Sequence, residues 1–412
     1  MMPGDHSDKS PGMTTTYKRK RTPAHPTEQP VTHDLNLQSG ALLYEMAALQ
    51  PTPRSQFGYK RAAKAIIYLP VPVSDLVTAG TLREVPFVGP SSERIIKELV
   101  EQGRSATVEA AIGKAGSKGA AVVAQRAYRQ HFLSHFTMMQ AVGAPMSSGI
   151  VSRADYRGDF QMHSTWSDGG EPLTGMIKGA RELGHSCLGI TDHSYGLPIA
   201  KGMSMEQASR QWAEIDRLNV KYRGEFRVFK GIEANILADG ALDLQPDEAA
   251  LFEFVVASPH SILRKTEDQT PRMLAAVKTR GVAILGHPRG RVFGTRPGVS
   301  ADWDAVFEIA ARREVAIELD GNWHRQDIDY VLAGRALEAG CLFALDSDAH
   351  SIGELRFSEY ALAHARLAGI PAERVINCWS DDRLEDWMKA RHAAPSRRGS
   401  TVRRAGARRV LR

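Results

Sequence analysis

The chain has 412 residues, of which 42% are hydrophobic and 24% charged; this is ordinary for a globular protein and long enough for two domains. No apolar run approaches the ~20 residues that span a bilayer, and the N-terminus lacks the apolar segment of a signal peptide, which argues against membrane-spanning and secreted classes. The formal net charge of +6 is uneven: residues 391–412 hold eight arginines and no acid, so the rest of the chain is slightly acidic and the basicity belongs to the tail.

In chain order, residues 1–35 are polar and carry prolines at 3, 11, 23, 26 and 30, so they bury too little apolar surface to order themselves. Within them, Tyr17-Lys-Arg-Lys-Arg21 reads either as a solvated charge cluster or as a nucleic-acid contact. From Asp34 the pattern turns helical, with Leu42, Leu43, Met46, Ala47 and Leu49 at helical spacing. A second helix runs from Ser55 to Leu69 and is stopped by Pro70; a third spans Val73 to Ala79 and is closed by Gly80. Val85-Pro-Phe-Val-Gly-Pro90 forms a tight turn, after which Ser91 or Ser92 caps a helix running to about Gly103, with Ile95, Ile96 and Leu99 on its apolar face.

A turn of this kind opening a helix is the shape of a helix-hairpin-helix, whose exposed N–H groups can hold a phosphate without reading bases. The order of the stretch resembles the N-terminal helix-hairpin-helix domain of family X DNA polymerases: Tyr59-Lys-Arg-Ala-Ala63, then Gly80-Thr-Leu-Arg-Glu-Val-Pro86, then the turn and last helix. The resemblance assigns a small all-α domain to 36–103 and implies DNA contacts at Lys60, Arg61, Gly89 and Ser91. Phe87 stands where that family usually has glycine, so a bundle that only packs is the competing reading. Residues 104–155 are expected to be a connector, with Gly113–Ala124 small and glycine-rich and Tyr128–Met139 helical. Residues 104–152 hold no neighbouring aspartates after a Gly-Ser turn, and they are too few for a nucleotidyl-transfer palm.

From 156 to 390, short apolar strands alternate with amphipathic helices. The strands are predicted at 158–163, 186–191, 226–232, 254–258, 282–286, 315–319 and 342–347, with helices at 173–183, 205–222, 272–279, 303–312 and 328–339. This pattern predicts a parallel α/β barrel or a doubly wound sheet. The strand ends carry Gln161 and His163, then Asp192-His193, Glu233, Pro259-His260, His287-Pro288, Glu318 with Asp320 and Asn322, and Asp348-Ala-His350; Asp168 follows the first. In a barrel such ends converge on one face. If the backbone is extended, Gln161 and His163 share a side, as do Asp348 and His350. One histidine after a strand is commonly structural, but imidazoles and carboxylates gathered at every strand end are costly to bury without cations. The mixture suits zinc, manganese or iron better than calcium.

Asp159-Phe-Gln-Met-His-Ser-Thr-Trp-Ser-Asp-Gly169, Gly189-Ile-Thr-Asp-His-Ser194, Lys230-Gly-Ile-Glu-Ala-Asn-Ile236, Gly286-His-Pro288 and Asp346-Ser-Asp-Ala-His-Ser351 resemble, in order, the motifs of the polymerase and histidinol phosphatase (PHP) family. They are most similar to the version at the C-terminus of bacterial family X polymerases. The resemblance implies a distorted (β/α)7 barrel with a trinuclear site. His163, Glu233 and Asp348 would hold a first ion; Glu233 would bridge to a second held by His260 and His287; Asp168, His193 and His350 would hold a third. Asp192 would orient a ligand from behind. Where the family's first motif has His-x-His, this chain has Gln161, whose amide oxygen is a weaker ligand.

The expected activity is metal-dependent hydrolysis of a phosphate ester, with two or three ions, zinc or manganese foremost, activating a water. Arg289 and Arg291, with Arg264, are candidate clamps for the remaining phosphate oxygens, against a reading as solvated loop residues. DNA ends or abasic sites are the first substrate class, favoured by the helix-hairpin-helix and the arginine-rich tail (391–412), which otherwise reads as a solubilising end. A small-molecule phosphatase of the histidinol-phosphate type is the second, and a catalytically weakened DNA-binding or scaffold module, suggested by Gln161, the third. Cys187, Cys341 and Cys378 lie far apart in sequence, which fits a reducing, cytoplasmic compartment.

Overall fold

The structure, a computed structural model, describes residues 34–393. The basic run at 17–21, the rest of the segment before 34 and the arginine-rich tail beyond 393 lie outside the described residues.

Seven helices come first: α1 (Leu35–Leu49), α2 (Pro53–Ile67), α3 (Val73–Ala79), α4 (Pro90–Gln102), α5 (Ala106–Lys114), α6 (Ser117–Ala124) and α7 (His135–Gly143). The first five share one core of Leu43, Ile66, Leu82, Ile95, Ile96 and Val108. Asp34 caps α1 by accepting from the Leu37 N–H, and Thr52 caps α2 in the same way. The cap of α4 differs from the expected serine: Gly89 is the cap residue and Pro90 begins the helix, a position where proline's missing N–H costs nothing. Residues 104–152 are more helical than expected. Gly119 on α6 lies so close to α5 that a Cβ there would fall 2.1 Å from the Ile112 carbonyl oxygen, so the small residues serve a close helix crossing. Tyr128–Met139 is not one helix: residues 130–134 separate a 3-10 turn (Gln125–Arg129) from α7.

The strands are β1 (Gly158–Asp159), β2 (Cys187–Ile190), β3 (Arg227–Asn235), β4 (Phe254–Ser258), β5 (Val282–Leu285), β6 (Ala316–Asp320) and β7 (Leu342–Asp346). Each pairs in parallel with the next, in chain order. The ring closes between the ends of β7 and β1 through a single parallel bridge, Met162 with Ala349, where the His163 N–H donates to the Ala349 carbonyl at 2.9 Å. The sheet is therefore a distorted seven-stranded barrel. Around and between the strands run α8 (Leu173–Glu182), α9 (Met205–Lys221), α10 (Pro246–Ala249), α11 (Thr270–Lys278), α12 (Trp303–Arg313), α13 (Tyr330–Glu338), α14 (Ser358–Leu367) and α15 (Asp381–His392).

The barrel interior is apolar at its floor and polar at its mouth. Phe160, Phe229 and Phe254 fill the floor, and Trp387 and Met388 of α15 pack against the same cluster. Gly189 and Gly231 make room for the Phe254 ring, whose Cζ would sit 2.6 and 2.4 Å from a Cβ at those positions. Filling the floor forces the hydrophilic strand ends together at the opposite rim.

Candidate metal centre

The rim gathers the titratable residues in strand order. Glu233 is its hub, buried at 1% exposure. Its Oε2 lies 3.0 Å from His193 Nδ1 and 3.5 Å from His163 Nε2, while its Oε1 lies 2.9 Å from His287 Nε2 and 3.5 Å from His260 Nε2. His193 reaches Glu233 because β2 and β3 continue past their regular pairing through a parallel bridge between these two residues. On one side of the hub, His163 Nε2 is 3.2 Å from Asp348 Oδ1. On another side, Asp168 Oδ1 is 3.4 Å from His350 Nε2, 3.7 Å from His193 Nε2 and 3.9 Å from His163 Nδ1. The His163 ring stacks between those of His193 and His350, with centroids 4.4 and 4.3 Å away.

Three groups bring ligand atoms within 4.8 Å of one another, close enough to share a cation: His163, Asp168, His193 and His350; His193, Glu233 and His260; and His163, Glu233 and Asp348. The electrostatics agree with that chemistry. Burial resists ionisation of Glu233, but His193 and His260 hold its carboxyl well below the usual range. Burial pushes His260 down to about 3, leaving it a neutral imidazole able to donate a lone pair. Burial also opposes the charge on His350, yet Asp168 and Asp348 raise it to about 10, so a cation binding there would displace a proton. Buried polar atoms without hydrogen-bond partners include several at the rim: Gln161 Oε1 and Nε2 and the Nδ1 atoms of His163, His260 and His287. Unmet buried donors and acceptors on this scale are rare in a native protein and fit a site completed by bound ions.

Several expectations change. Asp348 is not extended; at φ +52° it turns its carboxylate toward His163 while His350 turns to Asp168. Asp192 makes no contact with an imidazole. It accepts from the Ser164 N–H (2.8 Å), Ser164 Oγ (2.6 Å), Ser167 Oγ (2.5 Å) and Gln211 Nε2 (2.6 Å), which pins the turn leading to Asp168. Arg291 is no phosphate clamp: its donors go to the carbonyls of Arg325, Gln326 and Gln130 and to Asp329, and its side chain is 4% exposed. Arg289 likewise reaches Asp329 and the Pro297 carbonyl, and Arg264 donates to the Thr295 carbonyl.

The arginine that does stand at the rim is Arg325, from the loop after β6. It donates to Asp348 Oδ2 and lies 3.4 Å from Asp320 Oδ2. Its signal in the sequence was only a charged residue five positions beyond a strand-end aspartate.

Away from the rim, the hairpin turn brings Arg61 of α2 against Phe87, with the guanidinium 3.5 Å from the ring centroid and 5.4 Å from that of Phe57. Phe87 takes φ +69° and is 52% exposed. Lys60 and Ser91 are exposed and Gly89 half-buried on the same helices. Among the described residues, no hydrogen bond or ion pair links Lys60, Arg61, Gly89 or Ser91 to the residues of the rim.

No family model matches the chain. Over 241 residues it is 34% identical to the DNA polymerase/3'-5' exonuclease PolX of Bacillus subtilis (strain 168), an alignment covering 58% of this chain and 42% of that protein. Over 252 residues it is 28% identical to the probable phosphatase YcdX of Escherichia coli O81 (strain ED1a), covering 58% of this chain and 97% of that one. The chain thus spans less than half of the polymerase and nearly all of the phosphatase. Among solved structures it is similar to the histidinol phosphate phosphatase of Lactococcus lactis subsp. lactis Il1403, complexed with zinc, L-histidinol and phosphate. That match has 15% identity, a TM-score of 0.38, and coverage of 51% of this chain and 94% of that one.

Proposed function

We propose that the chain is a metal-dependent phosphoesterase of the PHP type, acting on DNA ends or abasic sites. The observation that carries the hydrolytic reading is Glu233, whose two oxygens face four imidazoles at 2.9–3.5 Å inside a rim of unpartnered polar atoms. Similarity to a polymerase–exonuclease and to a phosphatase supports the same family and reaction class. His163, Glu233 and Asp348 would serve a first position, Glu233 with His260 and His287 a second, and Asp168 with His193 and His350 a third. When bound, zinc or manganese would polarise the phosphoryl oxygens and lower the pKa of a coordinated water.

The protein's own residues set up that chemistry. Glu233 presents one oxygen to His163 and His193 and the other to His260 and His287, so it would be shared between the first two positions. His260, neutral and with Nδ1 unpartnered, keeps a lone pair free at the rim. Asp192 holds the Ser164–Ser167 turn, and through it the reach of Asp168. The apolar floor keeps water out from beneath.

DNA as substrate draws support from the polymerase relative and from the α1–α4 helices with Arg61 and Phe87 at the hairpin turn. We assign 36–103 to the helix-hairpin-helix unit, 104–155 to a connector and 156–390 to the catalytic barrel. A small-molecule substrate is favoured by one observation: the phosphatase relative is covered over 97% of its length by 58% of this chain. Turnover of abasic DNA, 3′-phosphorylated DNA and an aryl phosphate, each with added Mn²⁺, decides between them. Preference for DNA that is lost on mutating the α1–α4 helices supports the first reading, and equal use of the aryl phosphate supports the second. No turnover of any of them by metal-loaded protein contradicts both.

A further inference from the structure

We propose that the Arg325 guanidinium supplies the positive charge at the first position of the centre, so that the chain binds two divalent ions rather than three. The inference rests on the ligand assignment proposed above. At the first position, Gln161 offers a neutral amide where a histidine would be a stronger ligand. Asp348 has both oxygens engaged: Oδ1 lies 3.2 Å from His163 Nε2, and Oδ2 accepts from Arg325 Nη1. The same guanidinium nitrogen lies 3.4 Å from Asp320 Oδ2. It therefore neutralises two buried carboxylates that would otherwise call for a metal.

Arg325 is held in place by a built loop. The Arg325 and Gln326 N–H groups both donate to the Asn322 carbonyl at 2.8 Å, and the Asn322 N–H donates to Asp320 Oδ1 at 2.6 Å. The Gln326 side chain is bound by the Leu133 N–H at 2.8 Å, by the Leu133 carbonyl at 3.0 Å and by His364 Nε2 at 2.9 Å. Arg291 binds the Arg325 and Gln326 carbonyls from behind. The other two positions differ. Glu233 faces imidazoles and Asp168 faces imidazoles and the Ser167 hydroxyl, and no lysine or arginine among the described residues forms an ion pair with either. A dication placed beside Asp348 would meet the guanidinium already paired with that carboxylate, whereas Glu233 and Asp168 carry no such pair.

The test is a count of metal. Full-length wild-type protein and a Q161H/R325M double variant are loaded with excess Zn²⁺, freed of unbound ion by gel filtration and analysed by elemental mass spectrometry, with far-UV circular dichroism reporting the fold. Two ions per wild-type chain and three per double-variant chain are expected. Any other wild-type count, or a folded double variant that still holds two, overturns the inference. If the double variant does not fold, the wild-type count alone decides. Because the count needs no substrate, failure of the hydrolytic reading would show separately, as absent turnover by protein with a defined metal content.

Discussion

Two buried polar clusters sit on neighbouring loops of one barrel, and both looked functional as sequence. Arg289 and Arg291 follow β5, in a stretch that also carries His287; the candidate metal centre occupies the strand ends. Around Arg291 every donor group finds an acceptor, and burial of the guanidinium, which lowers its pKa to about 10, is answered by Asp329. Around Glu233, imidazole and carboxylate atoms face one another with several left unpartnered. A closed hydrogen-bond account marks structure, and an open one marks a place for a ligand.

The comparison can be broken by exchanging effects between the clusters. Glu233→Gln should have the largest consequence. Losing the shared carboxylate should cut phosphoesterase turnover by ~10³-fold or more, the several kcal/mol that metal stabilisation of the transition state is worth. It should reduce bound metal by elemental analysis while leaving the fold intact. Arg291→Met should act the other way. Leaving Asp329 buried without its partner should cost about 3–5 kcal/mol in urea unfolding, with turnover per folded molecule unchanged at low temperature. If Arg291→Met abolished turnover in fully folded protein, the two clusters would not be distinct.

Asp192→Asn lies between these. It breaks the turn carrying Asp168 without removing a ligand, so metal affinity should fall by about 10–100-fold, read by chelator competition.

The smallest effect is pH-dependent stability away from the rim. His364 is fully buried against Gln326 and the Tyr330 N–H, and burial pushes it down to about 3. The folded state therefore keeps it neutral while the unfolded chain protonates below about 6.5. Its contribution is present above that pH and is lost as pH falls toward 3, amounting to about 2 kcal/mol at pH 5. The unfolding free energy of His364→Gln should drop less between pH 7 and 5 than that of the wild type.

Much of the barrel was legible because its strands are short apolar runs ending in residues unlike their interiors: Phe254–Ser258 matches its prediction and the other strands begin within a residue or so of theirs. β1 is the exception, since its pairing stops at Asp159 and only the bridge at Met162 continues it. Helices α5 and α6 were read as linker because alanine and glycine carry no clear apolar stripe; only the close approach at Gly119 shows what the small residues do. The grouping of imidazoles at strand ends could be read from alternation, whereas the turn of Asp348 could not, because a left-handed aspartate leaves no periodic trace. Arg325 was invisible for a similar reason. An arginine in a loop looks the same whether it points to solvent or into a cluster of acids, and the loop's anchors, Leu133 and His364, are far away in sequence.

The central claim is that the strand-end cluster holds metal and that the metal does the chemistry. It is tested most directly by stripping the full-length protein with a chelator, assaying phosphate-ester hydrolysis, and titrating Mn²⁺ or Zn²⁺ back while counting bound ions. The account predicts no turnover in the stripped protein and recovery that saturates as the sites fill. Undiminished turnover by metal-free protein, or saturated sites with no hydrolysis of any phosphate ester, would contradict it.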